Sequence, residues 1–251
     1  MKKMLPLFLA CALCLSTLCV GASASAKSTL KIKGTNTDIS GDGYHYLAWC
    51  TLYVSDGFAA SVEVKKNGTI LDPPNALTYR AVLCSGDGTV RAVNSAEAGT
   101  HMDTFPPVMT NYWQGSSAYA KGIVRLRTTY AGTKEINLKP TSVYTAGRTA
   151  SDSDSVMENL IATLDEDGQY PVNANGESYG STLLFDIVGE EPDLIQAEGM
   201  DGTEGYVRKT ELYADYNLGS EDILIPLYDI NGTEIGSLMV YDADASASNA
   251  G

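Results

Sequence analysis

The chain has 251 residues and a net charge of −14 at neutral pH, from 17 Lys and Arg against 31 Asp and Glu. The surplus sits in one part: residues 27–150 carry 13 Lys and Arg against 9 Asp and Glu, a net +4, whereas residues 151–251 carry 2 against 22, a net −20. An acidic half of that strength repels phosphate backbones and excludes nucleic acid as a partner, and the asymmetry divides the chain near residue 150 into two unlike parts with charge to attract one another.

Residues 1–26 read as a signal peptide for export. Lys2 and Lys3 form a positive start, Leu5 through Val20 an apolar run, and Ala24-Ser25-Ala26 the small residues that a signal peptidase accepts, so cleavage is expected after Ala26. Cleavage leaves no transmembrane segment and a secreted or envelope-associated chain of about 225 residues, enough for one large or two small cores. It also removes Cys11, Cys14 and Cys19 and leaves Cys50 and Cys84. An even pair in an exported chain suggests a disulfide, and closing that loop restricts the unfolded state by about 4 kcal/mol; two buried free thiols are the alternative. Two cysteines without a paired His make no zinc set, and no cofactor or metal is called for.

Residues 27–150 read as strands. Tyr44, Tyr46, Ala48, Cys50, Leu52 and Val54 fall on one face of an alternating run, and Ala60, Val62 and Val64 continue it beyond the Ser55-Asp56-Gly57 turn. Asn67-Gly68 and Asp87-Gly88 are hairpin signals between apolar runs. Ala120, Gly122, Val124 and Leu126 alternate with Lys121, Arg125 and Arg127, which predicts one buried face and one wet basic face. Strands at 29–33, 44–55, 58–66, 77–84, 88–93, 118–130 and 134–139 make a two-sheet β-sandwich. The segment 95–117 follows no period, and its His101, Phe105, Tyr112 and Trp113 form the candidate contact surface of this half; the plainer reading is aromatics pinning a long loop to the sandwich.

Beyond residue 150 the texture changes. Ser151-Asp152-Ser153-Asp154 reads as a linker, Ser155 and Glu158 as the capping box of a helix that ends at Asp167-Gly168. Strands at 182–188, 193–198, 204–208, 223–228 and 234–241 follow, with Asp201-Gly202 and Asn231-Gly232 as turns. The fold class is therefore mainly β: an N-terminal β-sandwich of 27–150, then a small acidic α+β domain of 151–244 with one helix, then a polar tail of 245–251 expected to be disordered.

Three chemistries fail on context. Gly176-Glu177-Ser178-Tyr179-Gly180 matches the G-x-S-x-G nucleophile elbow, but an apolar strand-like run follows and no His occurs after His101. Asp165-Glu166-Asp167-Gly168 and Asp229-Ile230-Asn231-Gly232 offer oxygen ligands for calcium, yet neither fits the EF-hand loop, and turn chemistry explains both. Paired carboxylates of the acidic half suit glycan hydrolysis by residue type, but this half has no Trp to form a sugar platform.

Four blocks in order carry a resemblance: Tyr170-Pro171-Val172-Asn173-Ala174-Asn175-Gly176-Glu177-Ser178-Tyr179-Gly180; Glu191-Pro192-Asp193-Leu194-Ile195; Gly205-Tyr206-Val207-Arg208; and Ile225-Pro226-Leu227-Tyr228-Asp229 with Gly232 and Gly236. Together they resemble an uncharacterised extracytoplasmic module of exported proteins from Gram-positive gut bacteria, which some carry behind a membrane-embedded peptidase region of the BlaR type. Gly205-Tyr206-Val207 followed by Leu212 also resembles the end of bacterial SH3-like cell-wall modules. The chain has no H-E-x-x-H, so the peptidase activity does not come with the likeness. What the resemblance implies is a sensing or accessory module. The expected function is non-enzymatic binding of a protein, peptide or envelope component. A carboxylate-dependent glycan hydrolase, or a regulatory or immunity partner of a cationic secreted peptide, are the alternatives.

Overall fold

Alternation builds the first sheet. β3 (Tyr44–Val54) and β4 (Phe58–Lys66) pair antiparallel, with Cys50 opposite Val62 and Leu52 opposite Ala60. β1 (Leu30–Lys33) and β2 (Thr37–Gly41) share one edge of β3, and β7 (Val108–Met109) lies against β4. The structure, a computed structural model, describes residues 29–41, 43–70, 76–99, 105–128, 132–146, 151–214 and 222–242. Residues 1–26, expected as an export signal, His101, residues 147–150 at the expected boundary and residues 245–251, expected as a tail, lie outside them.

The second sheet has ten strands. Its first members are β5 (Ala76–Ser85), β6 (Val90–Gly99), β8 (Ser117–Thr128), β9 (Gly132–Asn137) and β10 (Tyr144–Thr145). One face of β5, β6 and β8 packs on the first sheet: Leu77, Tyr79, Ala81, Leu83, Ala120, Val124 and Leu126 meet Tyr46, Ala48, Cys50, Leu52, Ala60 and Val62. At Gly122 the sheets approach so closely that a Cβ would lie 2.2 Å from Val62 Cγ2.

The acidic half adds β11 (Tyr179–Gly180), β12 (Leu194–Glu198), β13 (Glu204–Arg208), β14 (Ile223–Tyr228) and β15 (Glu234–Asp242) to the same sheet. β15 runs parallel to β6, with Val240 opposite Val93, and β12 returns to β6 with Ala197 opposite Val90. The order β6-β15-β14-β13-β12-β6 thus closes a five-stranded barrel. Its interior is a second core of Val82, Val90, Val93, Tyr119, Ile123, Ile195, Ala197, Val207, Ile225, Leu227, Leu238 and Val240. β5, β6 and β8 are therefore buried on both faces. A bulge between Leu83 and Cys84 marks where the β5–β6 ladder changes register beside the barrel.

Helices depart from the sequence reading. α1 (Ser151–Ile161) takes in the stretch expected as a linker, so Ser155 lies inside the helix and not at its cap. The apolar run 182–188, expected as a strand, forms a 3₁₀ turn (Thr182–Leu184) and α2 (Phe185–Val188). Its punctuation is helical: the Ser181 hydroxyl accepts the Leu183 amide at 3.2 Å, and Gly189 at φ 91° stops the second turn. With α3 (Lys209–Leu212), the described residues hold three α-helices where one was expected.

One turn recurs. At Asp229–Thr233 the Asp229 amide donates to Thr233 O (2.8 Å), Gly232 N donates to Asp229 O (3.0 Å), and Asp229 Oδ1 accepts from the Asn231 and Thr233 amides (2.9 and 2.8 Å). Gly232 takes the left-handed φ of 82° that this type I turn with a following bulge requires. Asp165–Gln169 and Asn173–Glu177 repeat the pattern bond for bond. The side-chain oxygens read as calcium donors at Asp165 and Asp229 are thus engaged by backbone amides, which hold the Asp229 carboxyl below its ordinary range.

Candidate functional site

The strand period places Tyr119, Lys121, Ile123 and Arg125 of β8 on the face away from the first sheet. From Tyr119 to Ile123 that face is not wet, because the acidic half covers it; Arg125 is half-buried and Arg127 is exposed as expected. Tyr119 and Ile123 carry the missed signal, since two large apolar residues on a basic face mark it as covered. The cations are satisfied across the junction. Arg80 donates to the carbonyls of Leu212 and Ala214, the latter at 3.1 Å, and Arg125 to that of Tyr213. Arg91 pairs with Glu198 and, at 3.8 Å, with Glu204.

Lys121, like Arg80, is almost fully buried. Its side chain is 7% exposed and that of its partner Glu191 6%. Lys121 Nζ pairs with the Glu191 carboxylate and donates to Tyr213 Oη at 2.6 Å; Lys209 Nζ donates to Glu191 O at 3.2 Å. Burial pushes the Lys121 ammonium down to about 8, and the Lys209 charge pushes the same way, while Cys84 and Cys50 pull it up. Burial holds the Tyr119 and Tyr213 phenols well above their ordinary value. Tyr119 Oη lies 2.7 Å from Thr182 Oγ1.

Two clefts open on this cluster. One, of about 510 Å³, is walled by Arg125, Glu135, Glu190, Lys209, Thr210 and Tyr213. The other, of about 660 Å³, is walled by Tyr119, Lys121, Lys139, Met157, Leu183 and Asp186. Asn137, Phe185 and Glu191 belong to both, so Phe185, 39% exposed at the start of α2, stands on the divide. Among the described residues no group of three or more His, Cys, Asp or Glu is placed to hold a metal ion.

The residues singled out from the sequence lie elsewhere. Phe105 is 7% exposed in the first core, edge-on to Tyr46 and Tyr79 at 5.8 and 6.5 Å. Trp113 is half-buried, bonded to Phe58 through both backbone groups at 2.8 Å, with the Arg91 guanidinium 5.1 Å from its ring centroid. Tyr112 is 53% exposed. Phe105 and Trp113 thus pin their loop at two places, and Tyr112 faces solvent.

Cys50 and Cys84 are buried free thiols. Cys50 belongs to the core between the sheets and Cys84 to the barrel core, so the strands β5 and β8 stand between them. The Cys84 thiol meets the hydroxyls of Tyr119 and Thr182. Burial pushes Cys50 up to about 12 and Cys84 up to about 11, which keeps both protonated and unreactive at neutral pH. Ser178 is closed on Asp193: its hydroxyl donates to Asp193 Oδ2 and accepts the Asp193 amide, both at 2.9 Å, which fastens a loop to β12.

Compared with known proteins, the chain matches no protein-family model, no curated protein and no solved structure.

Proposed function

We propose that this chain is an exported, non-enzymatic binding protein of the bacterial cell envelope or extracellular space, and that it takes its ligand in the clefts where the acidic half closes on β8. On this reading the two parts are a β-sandwich and an acidic α+β module. The block resembling SH3-like modules is β13 with α3, on the barrel wall beside the clefts. The export signal and the four-block resemblance support the location. No helix among the described residues is long and apolar enough to cross a membrane.

The observation that carries the binding reading is the paired clefts of about 510 and 660 Å³, within the size range of small-ligand sites, with an exposed Phe185 between them and buried polar groups below. The polar groups satisfy one another: Lys121 with Glu191 and Tyr213, Tyr119 with Thr182.

The mature protein, incubated with the small-molecule fraction of culture fluid and with solubilised envelope, is expected to melt higher and to retain a ligand in native mass spectrometry. Phe185→Asp, which replaces the exposed apolar ring shared by both clefts with a charge, is expected to abolish both effects. Retention unchanged in Phe185→Asp places binding elsewhere. A second reading, the glycan hydrolase, has the grouping of Glu135, Glu190 and Glu191 on one cleft in its favour. Release of reducing ends from envelope glycans, lost in Glu190→Gln, is the outcome that selects it.

A further inference from the structure

Lys121 joins three properties that a structural ion pair does not need. Lys121 is one of the residues that wall a cavity of about 660 Å³, so there is space beside its side chain for a small adduct. It is nine-tenths buried, so no shell of bulk water competes for it. Two proton carriers touch it: the Glu191 carboxylate, and the Tyr213 hydroxyl at 2.6 Å.

We infer that Lys121 is a covalent capture point for a small aldehyde or ketone, which it holds as an imine within the larger cleft. This rests on the reading of the clefts as the binding site and names the ligand class. The unprotonated Nζ adds to the carbonyl carbon, forming the C–N bond while the carbonyl oxygen takes a proton and becomes a hydroxyl. The carbinolamine loses that hydroxyl as water as the C–O bond breaks. Tyr213 is placed to supply the proton and Glu191 to accept the one that nitrogen releases. Glu191 returns the nitrogen's proton to the departing hydroxyl and Tyr213 is reprotonated from solvent, so one amine, one carbonyl and one proton give one protonated imine and one water, with no oxidant or reductant. The protonated imine carries the charge that the ammonium carried, so the buried partnership with Glu191 survives and no new charge is buried.

The availability of the amine agrees with this. Burial pushes the ammonium below the range of an ordinary exposed lysine, so a larger share of Lys121 is unprotonated near neutral pH. The groups on its side are Cys84 on β5, Tyr119 on β8, Glu191 before β12, Lys209 and Tyr213 on and after α3, and Lys139 and Asp186 on the cavity wall, while Cys50 acts from the other face of the sheet.

The mature protein is treated with limiting propanal and sodium cyanoborohydride, which fixes imines as propyl groups, and the adducts are mapped by peptide mass spectrometry. Lys121 is expected to be modified at least ten-fold faster than any other lysine at pH 7, with its rate rising through about pH 8. Tyr213→Phe, a small change, is expected to slow Lys121 labelling several-fold and leave surface lysines unchanged. Labelling spread over surface lysines with Lys121 unmodified, in a protein whose melting shows it folded, overturns the inference. The probe needs no natural ligand, so the two readings fail separately. Ligand retention abolished by Phe185→Asp without any Lys121 adduct removes the carbonyl chemistry alone. A Lys121 adduct with retention indifferent to Phe185 removes the cleft-binding reading alone.

Discussion

Val93 of β6 lies opposite Val240 of β15 in a parallel pair, and that pair joins the two halves into one sheet. β6 thereby serves two structures, since its other edge is paired along β5. Without residues 27–150 the barrel has four strands and two open edges, on β12 and β15, and its core lacks Val90, Val93, Tyr119 and Ile123. Each such side chain contributes about 1.5–3 kcal/mol by burial, so residues 151–251 alone are expected to lack a cooperative melt or to associate through the open edges. Circular dichroism melting and size-exclusion chromatography check this. A monomer with a sharp transition means the acidic half folds without β6.

Glu191→Ala leaves the Lys121 ammonium buried beside Tyr213 with no counter-charge, and is expected to destabilise by about 3–5 kcal/mol. Replacing both, as Lys121→Met with Glu191→Leu, is expected to recover most of that loss, because desolvation of two charges disappears along with their attraction. Urea denaturation of the singles and the double gives the cycle. Additive losses mean that the two side chains act independently.

Alkaline pH acts on the same cluster with opposing signs. Lys121 titrates at about 8 when folded and near 10.5 when unfolded, so between those values the unfolded chain binds more protons and stability rises with pH. Cys84 and Cys50 titrate at about 11 and about 12 when folded and near 9.0 when unfolded, so above pH 9 the folded chain binds more protons and their contribution falls. From these three groups, stability gains less than about half a kcal/mol between pH 8 and 9 and loses about 1 kcal/mol per unit above 9. Above 10 the loss steepens, because Tyr119 and Tyr213 stay protonated only when folded. Urea midpoints at pH 8, 9, 10 and 11 trace the curve. With Cys50→Ala and Cys84→Ala together, the maximum moves to about pH 10.

Both thiols are expected to be free. A thiol reagent should find none in the folded protein and two after denaturation, and the intact mass should show both hydrogens present. A mass short by two hydrogens establishes the bridge instead.

Phe105→Ala removes a ring packed on Tyr46 and Tyr79 and is expected to destabilise by about 3–5 kcal/mol. Tyr112→Ala, at an exposed ring, should change stability by no more than about 0.5 kcal/mol. If Tyr112 belongs to a contact surface, its substitution lowers retention of a partner at unchanged melting temperature, a separation that Phe105 cannot show.

The sequence by itself determined the mainly β character, the faces of β3 and β4, the strands 204–208 and 223–228, and the Asp-Gly and Asn-Gly turns. These follow from a two-residue period and from glycine at a left-handed position, both local properties. Only the tertiary structure decided what covers a face. Period two divides Lys121 from Ala120, but it says nothing of whether the Lys121 side meets water or the acidic half. The pairing of Val93 with Val240 joins segments far apart in the chain, and a strand buried on both faces shows only a longer apolar run. The 182–188 segment is decided by its ends, where the Ser181 cap and Gly189 stop outweigh a composition that suits a strand. The candidate site was the least legible part, because Lys121, Glu191 and Tyr213 come from three distant segments and meet only when the barrel closes on β8.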